Sequence, residues 1–103
     1  MRDPGAALAL CRRRLADVHE SIRTGHLDAP ALHGAVTEFA QLVETMAGLA
    51  DRLAAHAETD LRHAREVVAD LRTTARHLST GKLLLEPAID DLAEYGADVP
   101  VPA

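Results

Sequence analysis

Six histidines in 103 residues are the side chains of this sequence best equipped for chemistry, and what they could do depends on their spacing. Within one helix a metal ion is chelated by positions three or four apart, because seven residues span roughly 10 Å along the axis. His56, His63 and His77 are 7 and 14 positions apart, and His19, His26 and His33 are 7 apart with Gly25 between them. Neither set closes on one ion. Asp60 and His63 form a close acid–histidine pair, a single Asp-x-x-His. Carboxylate-bridged di-metal bundles use Glu-x-x-His twice plus two further glutamates, so the second copy is missing. A solvated pair near a helix N-terminus accounts for Asp60 and His63. No metal site and no cofactor is expected, and a metal- or small-ligand-binding helical bundle stands as an alternative.

His77 raises a different chemistry. Histidine phosphotransfer domains are four-helix bundles of similar length in which an exposed His is followed by a basic residue at +3 and Gly at +4. From His77 those positions are Thr80 and Gly81, so half of the short motif is matched, and phosphotransfer through His77 is the second alternative. A surface His near a helix end, where the charged form is favoured, is the plainer reading. Cys11 falls in an apolar stripe without a neighbouring base, which reads as a small buried hydrophobe and not a nucleophile. No Gly-rich phosphate loop or paired-carboxylate motif occurs, so no catalytic residue is assigned and the chain is read as non-enzymatic.

Charge narrows the partners. The net charge is -5, and its distribution is uneven: residues 1–82 hold all 11 Lys and Arg and 11 acids, whereas Glu86, Asp90, Asp91, Glu94 and Asp98 follow with no basic residue among them. Glu86, Asp90, Asp91 and Glu94 form a candidate patch for a basic partner. Arg12-Arg13-Arg14 and the series Arg62, Arg65, Arg72, Arg76 are basic, but Glu58, Glu66 and Asp70 interleave with the second group at helical spacing. Salt-linked solvated faces explain that pattern, and nucleic acid is not an expected partner. One cysteine permits no internal disulfide and points to a reducing compartment. The first residues lack a signal-peptide layout, and no apolar run approaches the roughly 18 residues of a membrane span. A cytoplasmic protein is expected, and ten arginines against one lysine with abundant alanine suggest the GC-rich genome of a bacterium.

The elements that would position these residues are helices. Hydrophobic residues make up 48% and aromatics 2%, so core volume must come from Leu, Val and Ala, and each alanine removes little surface from water. Asp3-Pro4 is a helix start and Gly25 a stop, with Leu8, Cys11, Leu15, Val18 and Ile22 at 3-4 spacing between them. Asp28 and Pro30 open a second helix whose stripe, Leu32, Val36, Phe39, Val43, Met46, Ala50, Leu53, Ala57, keeps 4-3 spacing throughout. The register slips near Glu58-Thr59-Asp60. Thr59 or Asp60 capping a third helix is preferred to a stutter, because fifty residues of one helix would extend roughly 75 Å. Its stripe is Leu61, Ala64, Val68, Leu71, Ala75, Leu78, and Gly81 reads as its stop. Leu83-Leu84-Leu85 is expected to pack across one end of the bundle, and Glu86-Pro87 to open a short last helix with Ile89, Leu92 and Tyr95 inward.

The expected fold is therefore all-α: an antiparallel three-helix bundle with a short fourth C-terminal helix, over about 4–24, 29–57, 60–80 and 87–95. The alternative is one long helix, 29–80, in a coiled-coil-like dimer. A single domain over 1–96 with a mobile tail, 97–103, is expected. Because helix two outruns its neighbours, part of its stripe lacks an internal partner. Phe39, Leu42, Met46, Leu49 and Leu53 are the interface candidates, and the function they imply is a protein–protein interaction or adaptor module that forms a homodimer through helix two, with an unidentified second protein as a further partner.

Overall fold

The computed structural model describes residues 3–60 and 64–98, and among them every regular element is α-helix: α1 (Pro4–Thr24), α2 (Ala29–Asp60) and α3 (Arg65–Asp98). The caps act as their chemistry dictates. The Asp3 carboxylate accepts from the Ala6 N–H at 3.2 Å, with Pro4 in the first turn, where no N–H is required. Gly25 closes α1 by donating its N–H to the Ser21 carbonyl at 3.0 Å. A Cβ at residue 25 would lie 2.9 Å from that same oxygen, so a side chain there would force the turn open. The Asp28 carboxylate accepts from the Ala31 N–H at 2.9 Å, and Pro30 again occupies a first-turn position.

Beyond α2 the expected boundaries need correction. Thr59 and Asp60 do not cap a third helix; they are the last two residues of α2. The single helix over 29–80 is not formed either, since α2 ends at Asp60 and α3 begins at Arg65. Residues 61–63, including Leu61 and His63, lie outside the described part. The fourth helix is not separate: α3 runs through both Gly81 and Pro87 to Asp98. Glycine inside a helix costs only about 1 kcal/mol against alanine. Pro87 removes the N–H that would meet the Leu83 carbonyl, but both residues are exposed, so water reaches the freed oxygen. The less exposed positions show why the helix continues: from Ala64, just before α3, through 68, 71, 75, 78, 82, 85, 89 and 92 they keep one 4-3 rhythm, buried at 75 and half-buried elsewhere, with half-buried 72, 81 and 88 beside it. Leu83 and Leu84 fall off that rhythm and are 60% and 73% exposed, so they do not close an end of the bundle. Tyr95 and residues 99–103 fall outside the side chains described.

Packing is concentrated between two helices. The buried residues of α2 are Ala40, Val43, Ala47, Ala50, Ala54 and Ala57, and α3 contributes Ala75. Alanine at successive contact positions lets two backbones approach closely, and gains dispersion contacts where it gains little transfer energy. Arg72 of α3 clamps this pair by reaching Glu58 at 3.0 Å and Asp51 at 3.7 Å on α2. In contrast, no described Cα of α1 comes within 8 Å of a Cα of α2 or α3, and α1 has no buried residue. The result is elongated, 68 × 26 × 20 Å with a radius of gyration of 17.9 Å, against about 13 Å for a compact chain of 100 residues.

Candidate interaction groove

Two contact solutions are written into α2, because Val36, Val43, Ala50 and Ala57 recur every seven residues and belong to both. Combined with Phe39, Met46 and Leu53 they make a large-residue stripe; combined with Ala40, Ala47 and Ala54 they make a small-residue one. The small stripe is buried against α3. Phe39, Met46 and Leu53 are 53%, 41% and 39% exposed, while Leu42 and Leu49 are half-buried beside them. All five interface candidates therefore sit on the side of α2 turned away from the alanine seam.

That side forms one wall of an apolar groove whose other wall is α1. Over one stretch Leu8, Cys11 and Leu15 of α1 face Met46, Leu49 and Leu53 across a space of about 520 Å³, floored by Leu71 and Leu78 of α3. A second stretch of about 440 Å³ continues toward the connection, between Val18 and Ile22 on one side and Leu32, Phe39 and Leu42 on the other. The stripe of α1 is thus aimed at the stripe of α2 without closing on it: Leu8, Leu15, Val18 and Ile22 all remain 42–51% exposed. Cys11 is exposed with them, which corrects its expected burial; a residue of α1 cannot be buried where α1 does not pack.

The groove offers almost nothing polar. Thr45 and Thr74 line it, but their hydroxyls donate to the Gln41 carbonyl at 3.0 Å and the Asp70 carbonyl at 2.8 Å of their own helices. Arg12 in the first stretch and Glu38 in the second are the charged side chains on its lining. Small-molecule sites need a few placed donors and acceptors to orient a ligand. A surface of leucine, methionine and phenylalanine in heptad-like rows suits the apolar face of a helix instead.

The remaining candidates are scattered. Glu86, Asp90, Asp91 and Glu94 are all exposed on the last turns of α3. Glu86 is engaged by Lys82 at 3.0 Å, and that hydrogen bond, followed by the charges of Glu86 and Glu44, raises the Lys82 pKa. On α1, Glu20 and Arg23 form a surface pair whose hydrogen bond lowers the Glu20 pKa and raises that of Arg23. Asp60 pairs with His56, 3.8 Å away, and its sequence-proposed partner His63 lies outside the described residues. No group of three His, Cys, Asp or Glu able to hold a metal occurs among the described residues. His77 is exposed on α3, and the helix continues through Gly81, as it does in phosphotransfer domains. No described helix is long and apolar enough to cross a membrane. The chain matches no known family model, no characterised protein sequence and no solved structure.

Proposed function

We propose that this chain is a non-enzymatic protein–protein interaction module that self-associates through the large-residue face of α2, as a two-fold dimer built on an antiparallel α2–α3 hairpin. The observation that carries the reading is the inverted use of α2: Ala40, Ala47, Ala50, Ala54 and Ala57 are buried, and Phe39, Met46 and Leu53 are left in water. The surface area supports it. The chain exposes 8320 Å², about 2,700 Å² more than the roughly 5,600 Å² of a compact monomer of 11.0 kDa. A second copy covering half of that excess on each protomer would give an interface in the range of obligate homodimers, about 2,000–5,000 Å². The cytoplasm of a bacterium is the compartment we assign, where an exposed thiol such as Cys11 stays reduced.

Light scattering coupled to gel filtration at micromolar concentration tests the reading. A dimer of about 22 kDa, twice the 11.0 kDa chain, is expected, and Phe39→Glu, which would place a charge in the interface, is expected to convert it to monomer without loss of helical circular dichroism. A wild-type monomer would overturn it.

The exposed acids Asp90, Asp91 and Glu94 give a second surface for a basic protein, whose binding would weaken with salt. Phosphotransfer through His77 is the other reading, favoured by Gly81 lying inside α3. A His77→Gln chain that still accepts phosphate would end it.

A further inference from the structure

This inference rests on the self-association just proposed and concerns which part of the second copy fills the groove. We propose that α1 is exchanged, so that the α1 of each protomer lies in the groove of the other. In its own chain α1 has a complete apolar stripe but no buried residue, and no described Cα of it comes within 8 Å of the other helices. The hairpin does not depend on it, since every buried residue among those described belongs to α2 or α3. Swinging α1 away therefore sacrifices little packing.

The connection is suited to such a swing. Gly25 is held by Ser21 on one side and Asp28 is held by Ala31 on the other. His26 and Leu27 are left as the joint between two capped rods. Pro30 adds to the separation set by these caps, because within a continuous helix its ring would crowd the carbonyl of His26. Short connections of this kind favour exchange. Exchange pairs the α1 stripe of each protomer with the α2 face of the other, so the dimer covers both apolar surfaces.

The test uses the full chain with Met46→Cys and the native Cys11, which line one groove. Their Cα separation within a chain exceeds the reach of a disulfide, so a short bis-maleimide is used, with the native chain as background for Cys11–Cys11 links and the Cys11→Ser, Met46→Cys chain as background for links between two residues 46. Light scattering on the same sample reports the mass. A dimer in which most linked product is covalent dimer is the expected result. A dimer whose product is chiefly internally linked monomer overturns exchange and leaves self-association standing. A dimer with no link above background also overturns exchange, since α1 then covers neither groove. A monomer overturns both. Leu49→Cys, on the same wall, replaces Met46→Cys if that chain does not fold.

Discussion

The α2–α3 hairpin and α1 are built from the same kind of helix, yet they meet the rest of the molecule in opposite ways. Ala54, with a single methyl group, is fully buried, whereas Val18 of α1 is 51% exposed. In this protein burial follows smallness more closely than hydrophobicity. Alanine rows permit close backbone approach, and close approach then excludes the larger side chains on the flanks. α1 offers a row of larger residues and stays at a distance.

The comparison breaks most sharply at Ala54. Ala54→Leu should destabilise the hairpin by about 1–3 kcal/mol, as overpacked sites do, read as a lower urea midpoint; an unchanged midpoint would mean that the seam is not tight. Next comes Gly81→Ala. A Cβ there meets nothing within 4 Å and α3 is helical through it, so a stabilisation of about 0.5–1 kcal/mol is expected. A loss of stability by thermal melting would point to a real interruption at Gly81. The smallest effect should fall on α1. In a Phe39→Glu background held monomeric, Leu15→Ala should change stability by less than about 0.5 kcal/mol, the usual range of surface substitutions. A cost comparable to that of Ala54→Leu would show that α1 packs in the single chain after all.

The all-helical class was legible in the 3-4 rhythm, and α1 was legible to its ends because Asp3, Pro4, Gly25, Asp28 and Pro30 are unambiguous local signals. The buried side of α2 was not. Both stripes share Val36, Val43, Ala50 and Ala57, so periodicity could not separate them, and ranking by hydrophobicity favours Phe39, Met46 and Leu53 over Ala40, Ala47 and Ala54. The choice between them is made by α3, whose approach no local pattern reports. The continuity of α3 was hidden differently. Gly81 and Pro87 are the usual signs of an ending, and Lys82 occupies a position in the stripe. Following the rhythm from Leu78 through Lys82 to Leu85, Ile89 and Leu92 would have recovered it, since a lysine stem can lie along an apolar surface with its ammonium in water. The groove was half legible: its α2 wall was marked by Phe39, Leu42, Met46, Leu49 and Leu53, but nothing in the sequence says that α1 stands off from that wall.

A row of near-identical methyl groups does not count residues. Slide α3 along α2 by two turns and Ala75 meets an alanine again. Side chains that are not repeated index the two helices: the unlike residues Val68, Leu71, Ala75 and Leu78 of α3, and with them Arg72, gripping Glu58 and Asp51, and Lys82, under the pull of Glu44. In most proteins exposed ion pairs of this kind add little stability. Here they also favour one alignment, which the methyl row of α2 alone would not select.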